Sequence, residues 1–208
     1  MDKNNQTTEE RILAASKKVF HTRGFDGARM QEIANEAGVN KSLVHYYFRN
    51  KESLFKSVFE DAFGQLLTKM NEVFFSDLPI IAKIETFLHF YLDFLAMNSY
   101  LPWFILNGLH ERPGQLKELM DRMQMSPQRL INRIHDQVKE ELNIEIDPLH
   151  FFINMLSLSI FPFLARPLIL SVLGYSPEML GQFYEERKTK VPEFILNALK
   201  GYENYPSK

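Results

Sequence analysis

The chain contains no cysteine among its 208 residues. That absence excludes disulfide bonds, thiolate zinc sites and cysteine nucleophiles, and it is compatible with a reducing cytosol. The six histidines are scattered, and no two of them have the His-x3-His spacing of a helical metal site. We therefore expect no bound metal and no cofactor.

Signatures of catalysis are missing as well. The sequence has no G-x-S-x-G segment, no glycine-rich phosphate loop and no convergent pair of carboxylates. The adjacent pair His135 and Asp136 lies in a charged helical pattern, where the simplest interpretation is exposure to solvent. We expect the chain not to be an enzyme.

Period-two alternation, the mark of a half-buried strand, does not occur over a useful length. Apolar residues recur instead at spacings of three and four, which predicts an all-α fold. After the first 50 residues, helices are predicted at about 51–75, 79–97, 102–110, 115–125, 127–142, 148–173 and 177–202.

The first ten residues are polar and acidic, so they are not expected to form a signal peptide, and a cytoplasmic location is expected. The segment 149–173 is apolar and long enough to span a bilayer. Its histidine, asparagine, arginine and two prolines, and the lack of a basic flank, favour a helix buried in a core and a subunit interface.

Residues 30–48 have the pattern of two short helices joined by a tight turn. Gly38 stands where a left-handed residue ends the first helix, and Asn40 can cap the start of the second. The inner face of the second helix is expected to consist of Val44, Tyr47 and Phe48. This pattern predicts a helix-turn-helix unit, whose second helix enters the DNA major groove.

Charge is distributed unevenly along the chain. The net charge is −2 overall, but residues 11–56 carry nine Lys or Arg against four Asp or Glu, which gives +5. A basic module on an acidic body is typical of a DNA-binding domain attached to a domain that does not bind DNA.

The segments on either side complete a three-helix domain. Thr7 and Glu10 form a capping box for a first helix that is expected to end at Gly24. Asn50 is expected to cap a long fourth helix that follows with no linker. We predict a DNA-binding domain over 1–50 and a larger helical effector-binding and dimerisation domain over 51–208.

The N-terminal fifty residues resemble the DNA-binding domain of the TetR family of transcriptional regulators. The matching run is Ile33-Ala34…Ala37-Gly38-Val39-Asn40-Lys41-Ser42…Tyr46-Tyr47-Phe48-Arg49-Asn50-Lys51-Glu52-Ser53-Leu54. The resemblance implies a repressor that binds a near-palindromic operator as a homodimer. The two copies are expected to pair through their last two helices, at about 148–173 and 177–202. It also implies release from DNA by a small molecule.

The resemblance to the family implies that four residues read base edges: Gln31, Lys41, Ser42 and His45. Phosphate contacts are expected from Arg29, Tyr46, Tyr47 and Lys51. The alternative for Tyr47 is that it is a core aromatic residue and does not contact phosphate. The alternative for His45 is that it is exposed without contacting a base. Arg49 and Lys56 are interpreted as solvated charges.

The body is rich in aromatic residues with a few polar groups among them, which suggests a pocket for a small apolar or aromatic effector. The family places such a pocket among the middle helices. The candidate lining residues are Phe63, Phe87, Tyr91, Trp103, Asn107, His110 and Phe152. The alternatives are that these residues form plain core, and that the chain is a small-molecule-binding or interaction protein without sequence-specific DNA binding.

Overall fold

The computed structural model describes residues 7–102 and 114–202. The elements in these ranges are helices, with no strand, so the predicted all-α class is confirmed. The helices are α1 (Thr8–Gly27), α2 (Met30–Ala37), α3 (Lys41–Phe48), α4 (Lys51–Phe74), α5 (Ile80–Met97), α6 (Gly114–Arg122), α7 (Pro127–Leu142), α8 (Pro148–Leu164), α9 (Arg166–Ser171) and α10 (Pro177–Tyr202). The helix predicted at 102–110 lies outside the described residues.

Helix α1 begins at the predicted capping box, in which the Thr7 hydroxyl accepts from the Glu10 amide and Glu10 accepts from the Thr7 amide. It extends further than predicted. Gly24 has a φ of 68°, which interrupts the helix without ending it, and the chain continues through one more turn to Gly27. Only glycine adopts this backbone without a Cβ clash, so the residue marks a kink within the helix.

Helix α4 connects the first three helices, here called the head, to the rest of the chain, here called the body. The Asn50 side chain caps it by accepting from the Ser53 amide at 2.8 Å. The helix has 24 residues, so it spans about 36 Å. Its buried side is continuous with the cores of head and body, because one apolar cluster runs from Ile12 to Leu199. Head and body are therefore mechanically joined.

Helix α5 packs against α4, α7, α8 and α10 and is the centre of the body. Near its start the buried Lys83 Nζ donates to the Phe74 carbonyl at 3.1 Å and to Gln137 Oε1 at 2.8 Å. Burial lowers the pKa of Lys83, and the nearby charge of Arg133 lowers it further. These bonds fix the end of α4 to α5 and α7.

The single helix predicted over 148–173 is wrong. Helix α8 ends at Leu164, Ala165 forms a turn, and α9 begins at Arg166. Pro162 lies inside α8 and lacks the N–H that would bond to the preceding turn, and Pro167 stands in the first turn of α9, where a missing N–H is tolerated but cannot bond back to α8. Within the described ranges, no helix has both the length and the apolar character needed to cross a membrane.

Candidate functional site

The turn between α2 and α3 is held by capping groups. Gly38 adopts the left-handed conformation with φ 64°, and Asn40 Oδ1 accepts from the Leu43 amide at 2.8 Å. From α1, the Arg11 guanidinium donates to the Ala37 carbonyl at 2.7 Å and to the Gly38 carbonyl at 3.2 Å. The start of α3 is thus fixed against the rest of the head.

Helix α3 has one buried side and one exposed side. Val44 and Phe48 are buried, as predicted. The exposed side, here called the reading face, consists of Lys41, Ser42, His45 and Tyr46. Three of the four are predicted base readers, and the fourth, Tyr46, is 79% exposed. The structure therefore presents this set together on the surface of the head.

Tyr47 was predicted to point inward, and this prediction is wrong. Its side chain is 40% exposed. The ring lies at the border of the buried side, edge-to-face with Tyr46 at 5.3 Å and 6.3 Å from the ring of Phe48. A step of three residues from Val44 leaves Tyr47 rotated by about 60° from that side chain, so the core takes Val44 and Phe48 and leaves Tyr47 at the edge.

The imidazole of His45 is oriented by its own helix end. Its Nδ1 lies 2.9 Å from the Arg49 carbonyl. A carbonyl only accepts, so Nδ1 carries the proton and Nε2 of the neutral ring is an acceptor. Arg49 has a φ of 42°, and the Asn50 amide donates to the Phe48 carbonyl around it. This strained turn directs the Arg49 carbonyl toward His45.

Lys51, predicted to contact phosphate, has acceptors within the protein. Its Nζ donates to the carbonyls of Phe25 at 2.9 Å and of Asp26 and Ala28 at 3.4 Å. The ammonium also lies 4.5 Å from the centre of the Phe25 ring. A cation at the C-terminal end of a helix is favourable, so Lys51 stabilises the end of α1. Its phosphate contact stays a prediction.

Other basic residues of the head are paired too. Lys17 contacts Asp61, Lys18 contacts Glu36, and Lys56 lies 3.8 Å from Glu60. Among the exposed cations of the head, four make no ion pair within the described residues: Arg23, Arg29, Lys41 and Arg49. Three of these flank the helix-turn-helix, at the start of α2 and at both ends of α3. The local charge of +5 is therefore concentrated beside the reading face.

Gln31, the remaining predicted base reader, is exposed on the first turn of α2. Its amide nitrogen donates to Asn35 Oδ1 at 3.0 Å, one turn further along the helix. The bond leaves Gln31 Oε1 as an acceptor for an outside donor.

Comparison with known proteins agrees with this geometry. The family described as "Bacterial regulatory proteins, tetR family" matches residues 12–58, which cover the helix-turn-helix and its flanks. Residues 12–58 therefore form a TetR-family domain, which supports a role for the chain in transcriptional regulation.

Sequence identity to relatives is higher over a short match than over a long one. The probable HTH-type transcriptional regulator YttP of Bacillus subtilis (strain 168) is 24% identical over 189 residues, 88% of this chain and 91% of its own. The HTH-type transcriptional repressor NicS of Pseudomonas putida is 43% identical over 57 residues, which is 27% of each chain. The fold matches that of the fatty acid degradation regulator FadR from Bacillus halodurans, with a TM-score of 0.65 and 18% identity over 93% of this chain and 97% of that one.

The effector pocket expected in a TetR-family body is only partly within the described residues. Trp103, Asn107 and His110 lie outside them. Phe63, Phe87, Tyr91 and Phe152 are all buried, and the rings of Phe87 and Tyr91 stack at 5.5 Å. Burial raises the pKa of the Tyr91 hydroxyl. These four side chains pack as core, and their part in a pocket stays a prediction.

An apolar groove of about 780 Å³ lies elsewhere, between α8, α9 and α10. The sequence pattern does not predict this groove. Its lining includes Phe161, Leu173, Phe194 and the half-buried Arg187. The exposed large apolar residues of α8, α9, α10 and the turn after α9 are here called the apolar face; they are Leu149, Ile153, Phe161, Leu168, Val172, Leu173, Met179 and Phe194, of which Phe161, Leu168, Leu173 and Phe194 line the groove. Regulators of the TetR family bind DNA and act as dimers.

Proposed function

We propose that the protein is a cytoplasmic repressor that binds a palindromic operator as a homodimer. Two copies of α3 would then enter successive major grooves about 34 Å apart, one helical turn of DNA. The observation that carries the proposal is the reading face, which exposes four polar side chains on a capped helix beside unpaired cations. Occupying an operator blocks polymerase without any further surface, which favours repression over activation.

On the reading face, side-chain chemistry assigns each residue a partner. Lys41 stands in the first turn of α3 and has donors suited to the O6 and N7 of guanine. His45 Nε2, as an acceptor, suits the exocyclic amine of adenine or cytosine. Ser42 and Gln31 offer both donors and acceptors, so either can read a base edge.

Phosphate contacts are proposed around this face. Arg29 and Arg49 are exposed and make no ion pair in the described part of the chain. Arg49 was interpreted from the sequence as a solvated charge, and its position at the end of α3 gives it the role proposed here. Tyr46 and Tyr47 expose hydroxyl-bearing rings beside them. Lys51 is the weakest member of this set, because its donors already have carbonyl partners.

The homodimer is proposed to form through the apolar face. Phe161 and Phe194 are 61% and 62% exposed, and Val172 is 70% exposed. Large exposed apolar side chains beside an apolar groove are typical of an interaction site. A second copy of the chain suits it, since a two-fold interface places the same helices of both copies against each other. The interface would involve α8, α9 and α10.

Release from DNA is proposed to follow binding of a small apolar or aromatic molecule in the body. The aromatic residues of α4 and α5 support a ligand of that class. Thermal shift with a panel of apolar compounds tests this part. A compound that raises the melting temperature and weakens DNA binding supports it, and a panel with no stabilising member contradicts it.

A DNA selection experiment tests the function as a whole. Random duplexes are enriched on the purified protein, and the selected sequence is then titrated by fluorescence anisotropy against a scrambled duplex of the same length. We expect a palindromic consensus and an affinity at least about a thousandfold above that for the scrambled duplex. Equal affinity for both duplexes would favour the alternative, an interaction protein without sequence-specific DNA binding.

A further inference from the structure

Four aromatic rings form a cluster where the head meets the body. They are Phe20 and Phe25 of α1, Phe55 of α4, and Tyr100, which follows α5. Phe20 and Phe55 meet edge-on at 4.6 Å, and Phe25 and Phe55 at 5.0 Å. The Tyr100 ring lies 5.8 Å from that of Phe55 and 6.4 Å from that of Phe20. These separations are within the range of favourable aromatic contact.

The backbone of Tyr100 is part of the body, whereas its ring contacts Phe20 in the head and Phe55 at the start of α4. Asn98 ends α5 by donating its amide to the Phe94 carbonyl at 3.0 Å, and its own carbonyl accepts from the Leu101 amide at 2.9 Å. The Tyr100 hydroxyl lies 3.4 Å from Asn98 Oδ1. The backbone around Tyr100 is thus tied to the end of α5.

The electrostatic surroundings of Tyr100 also lie at this boundary. Burial raises the pKa of its hydroxyl, and the charge of Asp61 on α4 raises it further. Asp61 in turn pairs with Lys17 of α1. The phenol is therefore held neutral beside an ion pair that joins α1 to α4.

We propose that Tyr100 is a positioning residue that sets the orientation of the head relative to α5. Helix α4 joins head and body by a single rod, and a single rod permits rotation of the head about its axis and bending at its start. A ring from the body that contacts both α1 and α4 restrains this movement. Because α5 packs against α8 and α10, the restraint extends to the helices that carry the apolar face.

The consequence for DNA binding rests on the proposed function. In a homodimer the two reading faces have a set separation, and a head that swings on its body loses that separation. The orientation of the head itself requires neither DNA nor a second copy of the chain. A test of the orientation can therefore fail or succeed independently of the proposed function.

Distances between two spin labels test the proposal. The chain has no cysteine, so Ala14→Cys on α1 and Thr86→Cys on α5, both exposed, take labels at these two sites alone. The double-labelled chain is mixed with an excess of unlabelled chain, so that intramolecular distances dominate. The distance distribution is measured by double electron–electron resonance for the parent and for each variant at position 100.

Tyr100→Leu keeps an apolar side chain but removes the ring, and we expect the distribution to broaden or to shift by several ångströms. Tyr100→Phe keeps the ring and should reproduce the parent. The matched control is Phe90→Ala, which removes a half-buried ring of α5 that stacks on Phe94 at 6.0 Å within the body. This control should also reproduce the parent distribution.

Circular dichroism and a thermal melt of each variant show whether head and body remain folded. A Tyr100→Leu distribution that superimposes on the parent would overturn the proposal. So would an equal broadening in Phe90→Ala, since the effect would then follow from loss of body packing in general. If Tyr100→Leu loses helical content, Tyr100→Met, which retains more side-chain length, replaces it in the distance measurement. The same two outcomes would then overturn the proposal.

Discussion

The reading face of α3 and the apolar face of α8–α10 are both exposed, but they are built from opposite chemistry. The reading face presents Lys41, Ser42, His45 and Tyr46, with unpaired arginines at its edges. The apolar face presents Phe161, Leu173 and Phe194 around a groove. The first surface suits a hydrated polyanion, and the second suits a dry protein surface. The proposed function thus places specificity for DNA and assembly into a dimer in separate parts of the chain.

The family match covers residues 12–58, which are the head and the first residues of α4. Identity to NicS is 43% over a segment of 57 residues, whereas identity to YttP over 189 residues is 24%. A head that must fit one target, the DNA duplex, has fewer permissible side chains than a body whose helices need only pack and match one another. The predictions that follow separate the two surfaces by changing one at a time.

The largest effect is expected at the apolar face. Phe194→Glu places a charge in a surface that would be desolvated in the dimer, so the variant should be monomeric. Loss of the second reading face should weaken operator binding by on the order of a hundredfold. Sedimentation velocity and anisotropy measure the two losses. The control Met97→Glu changes an apolar residue that is 73% exposed on α5, and it should remain a dimer.

At the reading face, Lys41→Ala should cost about 1–3 kcal/mol of operator binding and relax one base position in each half-site. Oligomeric state should not change, because α3 does not contribute to the apolar face. The control Lys200→Ala removes an exposed lysine of α10 and should have no effect on DNA affinity. Equal losses on operator and random DNA for Lys41→Ala would contradict its role in reading a base.

Substitution of Lys51, at the start of α4, allows an effect on stability to be distinguished from an effect on DNA binding. Lys51→Met removes a charged donor from three carbonyls, and we expect the free energy of unfolding to fall by about 1–2 kcal/mol in urea titrations. If Lys51 also reaches phosphate, the salt dependence of DNA binding should flatten by roughly one unit. Lys56→Met removes an exposed neighbour and serves as the control. Unchanged stability in Lys51→Met would contradict the capping role.

His45 is expected to accept a hydrogen bond from its base. Removing the exocyclic amine of the contacted adenine or cytosine should cost about 1 kcal/mol with the parent and nothing with His45→Ala. Replacing N7 of a contacted purine by carbon should have no effect through this residue. The opposite pattern, with N7 required and the amine dispensable, would show that His45 Nε2 donates.

The smallest effect is expected in the body, at His135. Its hydrogen bond to Asp136 raises its pKa, and a second one to Glu145 adds to this. Because the folded pKa lies above the unfolded value, the stabilisation is full below the unfolded pKa and is lost as pH rises through the folded pKa. His135→Gln should therefore lower the urea midpoint at about pH 5.5 more than at about pH 8.5. A pH-independent difference would contradict this account.

The sequence predicts the structure correctly where that structure is set by neighbours along the chain. The Thr7–Glu10 capping box, the left-handed Gly38 and the Asn40 cap are all local, and the structure confirms each of them. The buried positions Val44 and Phe48 follow from helical period alone.

Features that depend on distant contacts were not predictable in this way. The carbonyl partners of Lys51 lie 23 to 26 residues away, so a lysine beside the expected groove gave no sign of them. The border position of Tyr47 depends on which rings fill the head. The break at Ala165 had a local signal in Pro167, but the long apolar run around it favoured one helix. The groove arises only when α8, α9 and α10 are packed together.

The central claim is that two reading faces, held at a fixed separation by the apolar face, bind one operator. Methylation interference on the selected operator tests it directly, since a methyl group on guanine N7 blocks the major groove. We expect two clusters of interference with centres about 10 base pairs apart, and loss of one guanine from each cluster with Lys41→Ala. A single cluster, or uniform weak interference along the duplex, would contradict the claim.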